Sequence, residues 1–233
     1  YDRINEDFEA ALGLGDYENL SIVEPSWIID NPSLAAADGY CRLKSTSQIV
    51  YYYYWNSTDG GSSEAKYNML SVKSPGTLTS DFCILSRVKA SGVTSMGALI
   101  MGIGVVMSDN SGGYPYGFAL GYIGDNAHII AYKAEDGNTV GSAASVADEL
   151  IFRIRRVTNT YYFDYRAPSG DWTSLGNNTV TNTPVDIGPI VCSNDIDDES
   201  TPTSYIDVDY FRAYYGALAV STAALPKSKA SHL

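Results

Sequence analysis

The chain has 233 residues and a formal net charge of −12, from 27 acidic against 15 basic side chains. Such a surface repels phosphate backbones and anionic bilayers, so nucleic acid is excluded as a partner and membrane insertion is not expected. Charged residues make up 18% and hydrophobic ones 45%, with 21 glycines and 19 tyrosines, which excludes a disordered chain and suits short strands joined by tight turns.

In chain order, 6–14 and 35–38 are at best short helical turns. The run 49–55 (IVYYYYW) alternates Ile49, Tyr51, Tyr53 and Trp55 against Val50, Tyr52 and Tyr54. Its β-branched and aromatic residues predict a strand, closed by the turn Asp59-Gly60-Gly61. Segment 81–90 sets Phe82, Ile84, Ser86 and Val88 against Cys83, Leu85, Arg87 and Lys89. Segment 97–107 reads as a buried strand whose glycines let another backbone approach. After the loop 109–113 come strands at 116–123 and 128–133, separated by Gly124-Asp125-Asn126. A hairpin follows, 150–157 and 160–166, turning through Thr158-Asn159, and Ser169-Gly170-Asp171 leads into Trp172 and Leu175. The acidic stretch 194–199 is a loop and 204–215 a long last strand. Turns recur roughly every 8–12 residues, the spacing of sandwiches and barrels. The expected core face carries Phe82, Ile84, Phe152, Ile154, Ile206 and Val208, with Trp27 and Trp172 also in the core. Helix should stay below about a tenth of the chain, against about a third in an average protein.

Cys41, Cys83 and Cys192 are widely spaced and form no CxxC or Cys/His cluster, which speaks against zinc and against a thioredoxin-like site. One bridge is open to them; the odd count leaves at least one thiol. Asn19-Leu20-Ser21, Asn56-Ser57-Thr58 and Asn177-Asn178-Thr179 fit the glycosylation pattern, a motif that is common by chance. After Gly216 the composition turns Ala/Ser-rich, so the reading is a folded domain over 1–216 and a tail or linker over 217–233.

Three stretches in order carry a family resemblance. Segment 81–89 (DFCILSRVK) is similar to a "D-F-x-[apolar]-x-x-R-[apolar]-K" strand. The part RIRRVTNTYYFDYRAPSGDWTSLG resembles a strand–turn–strand followed by a "D-G-x-W-x-x-L-G" hairpin. Segment 206–214 (IDVDYFRAY) is similar to the "V-D-Y-[VF]-R-V-Y" ending shared with family 16 glycoside hydrolases. Together, with WIIDNPSLAAADGYCRL at 27–43, they resemble the concanavalin A-like lectin/glucanase group, in particular its laminin-G-like and DUF1349-like members. The resemblance implies an all-β, two-sheet antiparallel jelly-roll sandwich over 1–216, with a concave face that often carries the sugar site. It also implies a structural Ca²⁺ between the N-terminal strand and the last one, where Glu6 or Asp7 would meet Asp207 or Asp209. The acidic loop with Asp195, Asp197, Asp198 and Glu199 is a second candidate for calcium, although its spacing is not that of an EF-hand.

Catalytic patterns are poorly matched. Glycoside hydrolysis needs two carboxylates flanking the scissile bond, and Asp195-Ile196-Asp197-Asp198-Glu199 has neither the spacing nor the strand character of the family 16 motif. The histidines are His128, in an apolar strand, and His232, in the tail. No G-x-S-x-G occurs, and Gly102-Ile103-Gly104 lies within a strand. Glycan recognition rests instead on aromatic rings beside amide, carboxylate and hydroxyl groups. The candidates are Tyr51, Tyr53 and Trp55; Tyr114 and Tyr116 beside Asp109 and Asn110; and Tyr161, Tyr162 and Tyr165. The expectation is a non-catalytic glycan-binding or adhesion domain of an extracellular or virion-surface protein, with a polysaccharide or surface glycan as partner. One alternative is a structural virion protein (bacteriophage tail, fibre or capsid decoration) whose tail 217–233 reaches a neighbour or builds a homo-oligomer. The other, a polysaccharide hydrolase or lyase, is disfavoured by the missing carboxylate motif.

Overall fold

The computed structural model describes residues 3–6, 17–19, 41–44, 66–72, 78–91, 100–107, 116–123, 128–133, 138–144, 147–193 and 205–216. Among the described residues every regular element is a strand. In chain order these are β1 (Arg3–Glu6), β2 (Tyr17–Asn19), β3 (Cys41–Lys44), β4 (Lys66–Val72), β5 (Phe82–Ser91), β6 (Ile100–Met107) and β7 (Tyr116–Ile123). They continue with β8 (His128–Lys133), β9 (Asn138–Ala144), β10 (Glu149–Val157), β11 (Thr160–Arg166), β12 (Thr173–Thr179), β13 (Pro184–Ser193) and β14 (Tyr205–Tyr215). No helix among the described residues is long and apolar enough to cross a membrane.

Two seven-stranded antiparallel sheets result. The first runs β1-β14-β5-β10-β11-β12, and the second β2-β4-β13-β6-β7-β8-β9. β5 takes one side of β14. β3 and β1 share the other side end to end, β3 against the stretch from Tyr205 to Val208 and β1 against that from Phe211 to Tyr214. The first and last strands are therefore neighbours, as the resemblance implied.

Alternation decides what is buried. On β5, β10 and β14 the inward positions are Phe82, Ile84 and Val88, then Leu150, Phe152 and Ile154, then Ile206 and Val208; all have 0% exposure. The expected core face is thus the observed one. Met101, Ile103, Val105, Phe118, Leu120, Tyr122 and Ile129 meet it from the second sheet. The rings interlock at the centre: Phe118 lies 4.9 Å from Tyr161 and 5.1 Å from Phe163, and Tyr122 meets Phe152 edge-on at 5.2 Å. Each edge-on pair contributes about 0.5–1.5 kcal/mol beyond the area it buries.

Two irregularities bear on function. β14 slips by one residue between Val208 and Tyr210. Ser86 Oγ donates a 2.7 Å hydrogen bond to the Tyr210 carbonyl inside the protein, so the bulge leaves that acceptor satisfied. Asp209 and Tyr210 consequently both meet groups of the sheet's outer side. The β10–β11 hairpin turns on Thr158, whose φ of 57° is unusual outside glycine, and Asp81 accepts a hydrogen bond from the Thr158 amide. Arg156 occupies an inward position but is not an error of pattern. Its Nη1 donates to the carbonyls of Leu78, Thr79 and Ser80 at 3.0, 2.9 and 2.9 Å, pinning the approach to β5.

The sheets approach closely at one rim, where β9 meets β12. A Cβ on Gly141 would run into the Leu175 carbonyl, and Gly176 holds φ at 125°, which side chains rarely adopt. β9 (NTVGSAA) and β13 (PVDIGPIVCS) were not anticipated as strands, because small residues and prolines mask the alternation. Pro189 is tolerated on β13 because pairing with β4 stops at Ile190↔Met69, so only the β6 side has to be bonded there.

Candidate functional site

Trp172 corrects one expectation. It does not enter the main core but packs on the outer face of the first sheet, beside Cys83, Leu85, Ile151 and Tyr210. The cause lies in β11. Phe163 and Tyr165 differ by two positions and both turn inward, so Asp164 between them turns outward into a nest of arginines.

Asp164 is only 4% exposed. Its Oδ2 accepts from Arg153 Nε at 3.1 Å and Arg153 Nη2 at 2.9 Å, and from Arg155 Nε and Nη2 at 3.2 and 3.1 Å. The Arg153 guanidinium lies 3.9 Å from the centre of the Trp172 ring, and that of Arg166 lies 5.0 Å from it. Arg166 also donates to the Pro168 carbonyl at 3.0 Å, which ties the hairpin carrying Trp172 to β11. Burial lowers the pKa of Arg153; Asp164 opposes that shift and Arg155 adds to it. A buried guanidinium keeps its charge here because a carboxylate and an aromatic face replace the lost water.

Nearer β14, Arg87 bridges three strands. It grips Glu149 with two nitrogens at 2.9 and 3.0 Å and Asp209 with a third contact at 3.0 Å. Arg212 lies 4.2 Å over the Tyr210 ring. Burial pushes the Tyr210 phenol up to about 12 and the Cys83 thiol up to about 12, the latter against the pull of Arg153 and Arg155. Cys83 is a free, buried thiol, as a strand cysteine treated as a small apolar residue should be.

Toward the β12 edge the face changes character. Register places Arg155 opposite Tyr162, and Tyr162 opposite Asn177. Adjacent strands lie about 4.8 Å apart, so this row of cation, aromatic ring and amide spans roughly 10 Å across three strands. Tyr162 and Arg155 are half-buried and Asn177 is exposed. The Arg155 guanidinium sits 5.1 Å from the Tyr162 ring centre. Such a row presents an apolar ring face flanked by donors and an acceptor, the combination that packs against a sugar ring and bonds its hydroxyls.

Of the tyrosines proposed on this hairpin, the structure separates the three. Tyr161 is fully buried in the core and Tyr165 packs against it, whereas Tyr162 alone faces outward. Tyr116 opens β7 opposite Met107. Tyr51, Tyr53, Trp55, Asp109, Asn110 and Tyr114 lie outside the described residues, as do Asp7, Asp195 and Asp197 and the tail 217–233. Of the proposed calcium ligands, Asp207 lies between Lys89 of β5 and Arg42 of β3 in register, and Asp209 is held by Arg87. Asp209 shares the Arg87 guanidinium with Glu149. Among the described residues no group of three or more His, Cys, Asp or Glu stands close enough to hold a metal ion. His128 is exposed at the head of β8. Arg153, Arg155 and Asp164 were not singled out from sequence, and Asn177 only as part of a glycosylation pattern. The available cue was Asp164, a carboxylate embedded in the apolar run YYFDY opposite RIRR.

The sequence matches no protein-family model, and no curated protein matches it at a significant level. Solved structures do match. Lectin I-B4 of Griffonia simplicifolia, in its metal-free form, aligns over 91% of this chain and 98% of its own, at 10% identity and a TM-score of 0.54. The carbohydrate recognition domain of Emp47p aligns over 92% and 95%, at 8% identity and a TM-score of 0.52. The fold is concanavalin A-like. The GH43 protein BlXynB of Bacillus licheniformis shares this concanavalin A-like sandwich at 14% identity and a TM-score of 0.61. There the match covers 91% of this chain but 39% of that protein, so the chain spans about two fifths of that protein's length. At these identities the likeness concerns the sandwich and not its chemistry.

Proposed function

We propose that this domain binds glycans without cleaving them and serves an extracellular or virion-surface protein as a carbohydrate-recognition module. The observation that carries the reading is the outward row Arg155–Tyr162–Asn177, a ring with hydrogen-bonding groups on either side, on adjacent strands of a rigid sheet. A scaffold of this kind positions a site more precisely than a loop does. Two further facts support the non-catalytic part. On the outer face of the first sheet Glu149, Asp164 and Asp209 are each engaged by arginine, whereas a glycosidase needs an acid and a second carboxylate poised across the bond. On β6 and β7 of the second sheet, the positions alternate to the core-facing ones are Ile100, Gly102, Gly104 and Val106, then Gly117, Ala119 and Gly121, and the neighbouring β13 adds the single acid Asp186 opposite Val106, not a pair. The proteins of similar fold include a lectin and a carbohydrate recognition domain, which accords with the same reading.

The test is a polysaccharide panel screened by affinity electrophoresis, alongside a reducing-sugar assay. Binding in the ~10⁻⁵–10⁻³ M range is expected, equivalent to about 4–7 kcal/mol and typical of a shallow site, with no sugar released. Tyr162→Ala should weaken binding while leaving the melting curve near wild type, since the ring lies outside the core. Release of reducing sugar would overturn the non-catalytic reading. A blank panel would overturn glycan binding altogether.

A further inference from the structure

We infer that the glycan taken by this face is anionic, a polymer of carboxylated or sulfated sugars; the inference rests on the glycan-binding reading. The whole chain carries −12, yet the outer face of the first sheet reverses the sign. Arg87, Lys89, Arg153, Arg155, Arg166 and Arg212 project from its outward positions, against Glu149, Asp164, Asp207 and Asp209. The excess is concentrated near the β12 edge. Nearer β14, Arg87 is matched by two carboxylates, Glu149 and Asp209, but Arg153 and Arg155 share the single carboxylate of Asp164. Arg166 adds a third guanidinium, bonded to carbonyls and to the Trp172 ring. The next acid is Asp171, exposed in the turn between β11 and β12.

The geometry shows where the unused donors lie. Arg153 is 4% exposed, and its Nη1 finds no hydrogen-bond partner among the described residues. Arg155 directs Nε and Nη2 to Asp164, and its side chain is 19% exposed beside Tyr162. The Arg153 Nη1 atom has no surface that a ligand could reach, so an anionic oxygen would meet the pair at Arg155, beside Tyr162, and offset the charge that the single Asp164 carboxylate leaves unmatched. Neutral hydroxyls would not offset that charge. Nucleic acid and an anionic glycan meet the same acidic remainder of the molecule, so what favours a sugar is the make-up of the row. The Tyr162 ring and the Asn177 amide fit a pyranose and its hydroxyls better than they fit an extended acidic peptide.

Two matched pairs of polymers decide the matter: polygalacturonate against its methyl ester, and dextran sulfate against dextran. With the full chain at low salt, at least one anionic polymer should bind ten-fold or more tightly than its neutral partner, and the preference should shrink as salt rises. Arg155→Gln should reduce the anionic affinity to that of the neutral polymer, and Tyr162→Ala should weaken both. Asn177→Ala, at an exposed position, provides a variant whose folding is not in question. Preference for one pair identifies carboxylate or sulfate as the source. Equal binding within both pairs would refute the anionic inference and leave glycan binding standing. So would binding of neutral glycans from the wider panel with none of these four. Binding to polyglutamate as tight as to the anionic polysaccharides, unaffected by Tyr162→Ala, would also overturn it, and failure of every glycan would overturn the underlying reading.

Discussion

Removing the carboxylate of Asp164 tests the arginine nest directly. Asp164→Ala deletes the acceptor of four nitrogen contacts, from Arg153 and Arg155, at 2.9–3.2 Å. Arg153 would then be a buried cation with only the Trp172 ring for compensation. Breaking a buried pair from one side costs about 3–5 kcal/mol, far more than the pair's net contribution when both partners are present. At a urea m-value of about 2 kcal/mol/M the unfolding midpoint should fall by roughly 1.5–2.5 M. The sharper comparison is the double replacement Arg153→Met with Asp164→Leu, which removes charge and counter-charge together. It should recover most of the loss, because the buried Arg153 is no longer stranded and the Arg155 left without its carboxylate is 19% exposed to water. The readout is a set of urea titrations followed by circular dichroism. A midpoint shift for Asp164→Ala below about 0.5 M, equivalent to about 1 kcal/mol, would refute the reasoning. So would a double variant as unstable as the single one.

Phe152→Ala should cost roughly 3–5 kcal/mol in the same assay, since the ring is fully buried against Tyr122; a loss under about 1 kcal/mol would contradict the packing described. Burial raises Tyr161, Tyr210 and Tyr215 from 10.0 to about 12, and Tyr122 further in the same direction. Their folded pKa values exceed the unfolded ones, so the stability they confer is complete below about pH 10 and is lost as pH rises toward 12. Tyrosinate absorbance should therefore lag behind that of the exposed tyrosines and appear together with unfolding, whereas simple titration of every tyrosine near pH 10 would contradict this. Cys83, buried and with its thiol pushed up to about 12, should resist alkylation at neutral pH until urea unfolds the chain; rapid labelling of that site in peptide mapping of the native protein would show the outer cluster to be open.

The strand content and the core face were legible in the sequence because both depend on alternation, a local property of the chain. Phe82, Ile84, Phe152, Ile154, Ile206 and Val208 could be assigned to one side of their strands without knowing what lay opposite. The family resemblance added the two-sheet order, and the pairing of β1 with β14 agrees with it. Local pattern could not decide what happens on the other side of the same strands. Cys83, Leu85 and Ile151 are apolar and buried, yet they belong to the outer face, and Trp172 joins them there only because the β11–β12 hairpin folds back over Arg153. Tyr161 and Tyr162 are adjacent and chemically identical; the direction in which β11 faces the second sheet puts one in the core and the other on the surface. The site itself is a matter of register. Arg155, Tyr162 and Asn177 are 7 and 15 positions apart in the sequence, and they form a row only because the Thr158 turn and the slip after Phe163 align three strands. Register is set by hydrogen-bond pairing and by which face must be buried, and a shift of one residue would send every side chain to the opposite side of the sheet.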